Sequence, residues 1–240
     1  FIGYYYFTSA LENMTISSTR RIVDDHRLMI ESFLRERRAD LEFILTSYDF
    51  ATLSDPEKLR QVFERLQTQS NAFVDLGIFN QEGVHVTYQG PFKLTGRIYK
   101  DADWFQEVMS KGYYVSDIFL GFRRVPHFVI AMAKSEGPAR WVVRATIDTY
   151  LFNELVKKVR IGKTGEAYLL SKDGIFQTER RSGGGILDVD RDFGKYITHK
   201  DEIETFVQTD YLGLEYVYAT TWLENKEWLM VVRQEIGDAF

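Results

Sequence analysis

The chain contains no cysteine, which removes a disulfide frame, a thiolate metal site and a cysteine nucleophile from consideration. Proline is scarce, at 4 of 240 residues. Proline and glycine are both missing from residues 9–48, so nothing in that stretch interrupts a helix. Positive charge is not in surplus: the formal net charge is −5 and the basic residues are dispersed, which argues against a nucleic-acid-binding surface. Long apolar runs are absent too. The apolar start FIGYYYF is far shorter than the ~20 residues needed to cross a bilayer, and it lacks the basic start and small-residue cleavage site of a signal peptide. The four histidines, His26, His85, His127 and His199, are scattered, and no two sit at metal-ligand spacing on one element. There is no G-x-S-x-G elbow. The string Gly162-Lys163-Thr164-Gly165 has no upstream glycine and follows a helical pattern rather than a strand, so it is not a phosphate cradle. A hydrolase would need a nucleophile and a base that the sequence does not offer.

What is present is a substantial core. With 45% hydrophobic and 15% aromatic residues, 240 residues suffice for one large domain or two small ones. Leu11, Met14, Ile22, Met29, Phe33, Leu41, Leu45 and Tyr48 recur in steps of three, four or their multiples, which predicts one long amphipathic helix over residues 9–48. The tyrosines just before it suit a membrane interface, so residues 1–8 are expected to end a transmembrane helix or to lie next to the membrane. A second helix should start at Ser54 or Asp55, with Pro56 in its first turn, and run to about Gln69. After Ser70 the pattern turns to short strands, AFVDLGIFN, VHVTY, YYVSDIF, HFVIAMAK and WVVRATID, rich in β-branched and aromatic residues. A short helix, TYLFNELVKK, follows them.

The pattern then restarts. Leu76-Gly77-Ile78-Phe79, a turn closing on Gly83, and Val84 match Ala167-Tyr168-Leu169-Leu170, a turn closing on Gly174, and Ile175, at an offset of 91. Val142-Val143-Arg144 is mirrored by Val231-Val232-Arg233. A sheet module of about five antiparallel strands is therefore expected twice, with a helix from Trp104 to Gly112 between the second and third strands of the first copy. The glycine-bearing run at 180–194 is expected to be a surface loop of the second copy.

A long N-terminal helix, two tandem PAS-like sheet modules, the DWF helix start and the string ATIDTYLFNELVKKVRIGKTGEAYLLSKDG resemble the double Cache family of extracytoplasmic sensor domains. The resemblance spans nearly the whole chain and implies an α+β fold. Its parts would be helices over 9–69, a membrane-distal module over 70–160 and a membrane-proximal module over 161–236. It implies a ligand-sensing segment, without enzymatic activity of its own, of a bacterial or archaeal transmembrane receptor. The output would be a histidine kinase first, a chemoreceptor or diguanylate cyclase second. It further implies a periplasmic or extracellular location, attachment through flanking membrane helices, a homodimer in the full receptor, no cofactor and no resident metal. The ligand would be a small amine, amino acid or carboxylate in the distal module. The amino-acid-binding subgroup carries a basic residue two positions before the tryptophan, where this chain has Ala102; of its acids, the one ending the last strand persists as Asp148. Asp103 with Asp148 would suit an amine.

The residues themselves supply further candidates. Trp104 and Phe105, at a helix start, can close over a sheet as an aromatic lid, or simply dock the helix. Strand alternation sends Tyr114 and Ser116 to one face and Asp117 to the other. One of Arg123 and Arg124 could hold a carboxylate bidentately, with Arg124 the candidate taken forward, His127 opens the next strand, and Asp148 is also placed to cap the helix that follows it. The competing reading is a structural or partner-docking module whose distal pocket is filled by its own side chains.

Overall fold

The computed structural model describes residues 2–240. Helix α1 runs without a break over Ile2–Ser47, as the missing prolines and glycines require. After a four-residue turn of helix, α2 (Phe50–Leu53), Asp55 starts α3 (Pro56–Gln69). Its Oδ1 accepts hydrogen bonds from Glu57 N at 3.0 Å and Lys58 N at 3.1 Å, satisfying two of the amides that every helix start leaves open.

The chain divides into two compact units. One is Leu34–Phe152; the other joins Asn153–Phe240 with the N-terminal residues up to Phe33. The first contains β1 (Phe73–Phe79), β2 (His85–Gln89), α4 (Asp103–Lys111), β3 (Tyr113–Val115), β4 (Phe128–Glu136) and β5 (Ala139–Ile147). These strands form one antiparallel sheet in the order β2-β1-β5-β4-β3. Helix α5 (Thr149–Lys157) follows. The second unit contains β6 (Glu166–Ser171), β7 (Glu204–Thr209), β8 (Glu215–Trp222), β9 (Trp228–Glu235) and the short α6 (Ile236–Ala239), its sheet ordered β6-β9-β8-β7.

Without β2, the first sheet reads β1-β5-β4-β3, the same order as the second, so the duplication in the sequence is a duplication of topology. It extends to single hydrogen bonds. In the first copy Gly83 N donates to Asn80 O at 3.0 Å and Asn80 N to Val84 O at 3.1 Å; in the second, Gly174 N donates to Ser171 O at 3.0 Å and Ser171 N to Ile175 O at 2.9 Å. Gly83 and Gly174 close these turns at φ +76° and +75°, a left-handed backbone that a side chain would strain.

Two expectations need correction. The second sheet has four strands rather than about five: where the first copy lays β2 beside β1, the second makes only the isolated bridges Leu170 to Phe176 and Ile175 to Val189. The loop at 180–194 lies largely at the surface, as expected, and is anchored by the buried Arg180, Asp190 and Asp192. In the first copy, β3 ends at Val115, so the alternation expected through Phe119 stops there.

No described helix is long and apolar enough to cross a membrane. Phe1, part of the apolar start, lies outside the described residues.

Candidate ligand-binding site

Helix α4 opens at Asp103, whose carboxylate sits in the first turn, where it complements the helix dipole. The helix stops at Gly112, left-handed at φ +82°. Between these limits Trp104, Phe105 and Val108 are buried against Phe79, Tyr99, Val129, Ala131 and Val142. Beside this cluster lies a cavity of about 600 Å³, lined by Asp101, Asp103, Trp104, Tyr99 and Tyr114, by Ser116 to Phe119, and by Phe122, Arg123, His127 and Arg144.

Its polar end is cationic. Arg144, on the central strand β5, is only 2% exposed. Its guanidinium carbon lies 4.8 Å from the Phe79 ring centre, 4.9 Å from Tyr99 and 4.7 Å from Trp104. The buried Nε of Arg144 and the buried Nε1 of Trp104 have no hydrogen-bond acceptor. Burial lowers the Arg144 pKa from its ordinary value, with Asp75 opposing the shift. Asp75 is itself committed: it ion-pairs with buried Arg123, accepts from Tyr88 Oη at 2.8 Å and from Thr146 N at 3.0 Å.

The histidines nearby do not add charge. Burial, then Arg144 and Arg123, push His85 down to about 3. Burial holds His127 at about 4, aided by Arg123 against the Val125 carbonyl, which takes a hydrogen bond from Nδ1 at 2.9 Å. The formal charges of Asp75, Arg123 and Arg144 sum to one positive charge. Asp101 and Asp103, exposed, and Asp117, half-buried, supply negative charge along the same lining. The lining thus combines buried cations, aromatic faces and acids, a set that suits a small molecule carrying both charges.

The sequence candidates divide accordingly. Asp103, Trp104, Tyr114, Ser116, Asp117 and His127 line the cavity. Ser116 also serves the fold, its Oγ accepting from Val129 N at 2.9 Å. Phe105 does not line it; it docks α4 into the core. Arg124 is exposed, a left-handed residue at φ 56° that closes a 3-10 turn, and Arg123 beside it lines the cavity instead. Asp148 is off the lining as well: its Oδ1 accepts from Leu151 N at 3.0 Å, capping α5. Arg144, Tyr99 and Asp101 were not anticipated. Arg144 did leave a signal, being a lone charge inside the apolar strand WVVRATI and duplicated as Arg233.

The other site signals in the sequence resolve without chemistry. Lys163 N and Thr164 N, of the glycine-flanked string, both donate to Asp238 Oδ2, at 2.8 and 2.9 Å, which makes that turn a brace for α6. His199, Glu202 and Glu204 bring ligand atoms within 4.8 Å of one another at the surface, where His199 already pairs with Glu204 at 2.6 Å.

Two antiparallel PAS-like sheets in tandem, one of them walling a half-open polar cavity, define a ligand-sensing module. The chain belongs to the Cache family: the model dCache_1, described as a Cache domain, matches residues 7–240. Solved structures agree on the fold. The ligand-binding domain of the Pseudomonas fluorescens chemoreceptor CtaA, in complex with L-isoleucine, superposes with a TM-score of 0.75 at 14% identity, over 97% of each chain. That of the Campylobacter jejuni chemoreceptor Tlp3, with 4-methylisoleucine, gives 0.72 at 13% identity over 95% of this chain and 94% of that one. The extracellular domain of rpHK1S-Z16, assigned as a histidine kinase, gives 0.71 at 14% identity over 92% and 94%. No curated protein matches the chain at the sequence level.

Proposed function

We propose that the cavity of the first module is the sensing site and that it takes a small α-amino acid or a similar zwitterion. The carboxylate would lie on Arg144 and Trp104, and the ammonium would face the acids Asp101, Asp103 and Asp117. One observation carries this reading: Arg144 is buried at the cavity with its Nε lacking an acceptor. Although Tyr99 and Asp75 face the guanidinium, a buried charged donor with an open N–H is costly, unless a ligand supplies the acceptor. The equivalent arginine of the second module supports it. Arg233 Nε donates to a carboxylate, that of Glu166, at 2.7 Å.

An amine alone would leave Arg144 unanswered, and a dicarboxylate would meet the acids. Similar domains crystallised with isoleucine, 4-methylisoleucine and asparagine are consistent with this class. The partner-docking alternative required a distal module filled by its own side chains, and the open cavity disfavours it. The remaining parts of the proposal are an extracytoplasmic segment, held by flanking membrane helices, dimeric through α1 in the full receptor, with a histidine kinase as the output; the extracellular domains among its relatives support the first of these.

The test is calorimetric titration of the domain with amino acids, amines and short carboxylates, repeated on Arg144→Met and Asp148→Ala. An amino acid should bind the parent and Asp148→Ala, and binding to Arg144→Met should fall at least about 100-fold, the share of a charge-assisted pair. Equal binding by Arg144→Met would refute the assignment.

A further inference from the structure

Arg144 and Arg233, the arginines of the mirrored Val-Val-Arg strings, are both buried on the strand that neighbours the first strand of their sheet. Arg144 on β5 lies opposite Gly77 of β1 and Ala131 of β4. Arg233 on β9 lies opposite Glu166 of β6 and Tyr218 of β8. The cross-strand neighbours are thus the two smallest side chains in one copy and an acid and a phenol in the other. In the first copy, the arginine's Nε has no acceptor and an open cavity adjoins it.

In the second copy the same guanidinium is fully engaged. Nε donates to Glu166 Oε1 at 2.7 Å, one terminal nitrogen to Tyr218 Oη at 3.1 Å and the other to Ser182 Oγ at 2.8 Å. Its plane rests on Tyr216, with the guanidinium carbon 3.9 Å from the ring centre. The Glu166 carboxylate is held as a bound carboxylate would be. Oε1 also accepts from Ser182 Oγ at 2.6 Å, and Oε2 accepts from Ser182 N at 2.9 Å. Glu166, Arg233 and Arg180 are all buried, and Arg180 Nε anchors the loop carrying Ser182 by donating to Gly183 O at 2.6 Å.

We infer that the second module retains a carboxylate-binding site at Arg233, Ser182 and Tyr218 that the chain's own Glu166 occupies as a tethered ligand. Truncating Glu166 to alanine removes a CH2 group and a carboxylate, leaving a space and a set of donors matched to formate or acetate. The second module would then be a ligand module closed by a carboxylate from its own first strand, and it would accept small free carboxylates once that position is emptied. The inference rests on the reading of Arg144 only through the equivalence of the two arginines.

The experiment is thermal unfolding of Glu166→Ala, made in an Arg144→Met background so that the first module offers no competing anion site. Sodium formate is compared with sodium chloride at equal ionic strength. Formate at tenfold excess over its Kd should raise the Tm of the alanine variant by about 3 °C over chloride. It should not shift Glu166→Gln, whose amide oxygen can still accept from Arg233, nor the background protein. If Glu166→Ala does not fold in chloride, recovery of a cooperative transition in formate is the expected result, with Glu166→Ser as the milder truncation. No formate-specific effect on either truncation, or an equal shift in every variant, would overturn the inference. Failure of the Arg144 assignment is read separately, from amino-acid binding by the parent and by Arg144→Met.

Discussion

Replacing each buried arginine by methionine should have opposite consequences for an otherwise equivalent change. Arg233→Met strands the Glu166 carboxylate, which is 3% exposed and loses its cationic partner. Breaking a buried pair from one side costs about 3–5 kcal/mol. Arg144→Met strands no anion, because Asp75 keeps Arg123, Tyr88 and Thr146 N. It forfeits the attraction of three aromatic faces, each worth about 0.5–2 kcal/mol, and it relieves the burial of a charge whose Nε has no acceptor. These two effects are of similar size and opposite sign, so the net change should stay within about 1 kcal/mol. At roughly 2–4 °C per kcal/mol for a chain of this size, the Tm values of the two variants should differ by about 6–20 °C. Differential scanning calorimetry without ligand measures this directly. Equal losses would refute the claim that Arg144 is held for a ligand, since that claim requires the first module to stand without it. A loss at Arg144 as large as at Arg233 would mean that it serves the fold.

Two further outcomes follow from the groups around the cavity. His85 and His127, held at about 3 and about 4 against an ordinary 6.5, stay neutral in the fold while the unfolded chain takes up their protons below pH 6.5. The unfolded state therefore binds more protons from pH 6.5 down to about 4, and stability should fall across that window; chemical denaturation at successive pH values should show a shallower slope for His127→Gln, and an unchanged slope would contradict the depressed pKa. A Cβ at Gly77 would lie 2.3 Å from His85 Nε2, and that ring is stacked on Phe79 at 4.1 Å between centres, so it has nowhere to yield. Gly77→Ala should cost about 1–3 kcal/mol, and an unaltered Tm would refute that placement of His85.

Much of the fold was legible because it rests on local rules. The lack of proline and glycine over residues 9–48 left one helix as the only economical backbone. Asp55 and Pro56 marked a helix start that depends on adjacent residues alone. The two turns closing on Gly83 and Gly174 need the same left-handed backbone, so the repeat surfaced as sequence. The counterpart of β2 in the second copy makes only isolated bridges, because after the shared turn the chain bends into the loop anchored by Arg180 and Asp190, which local propensity does not report.

The site was legible only where local pattern and cavity coincide. DWF marked the start of α4 and placed Asp103 and Trp104 in the lining, but could not show that Phe105, one residue on, turns into the core. Between Arg123 and Arg124 the sequence offers no preference. A buried acid 48 positions away, Asp75, decides which of them enters. Asp148 had two local roles open to it, and the fold uses the one its nearest amides provide.

By itself, then, the sequence determined the long helix, the repeated antiparallel module and the residue types available to a polar cavity, because these follow from periodicity, turn chemistry and composition. Tertiary structure alone decided that Arg144 and Arg233, alike in sequence, meet different neighbours. Strand register sets Gly77 and Ala131 beside one and Glu166 and Tyr218 beside the other. Cross-strand pairing joins residues tens of positions apart, and it is that pairing which leaves one guanidinium facing a cavity and gives the other a carboxylate of its own.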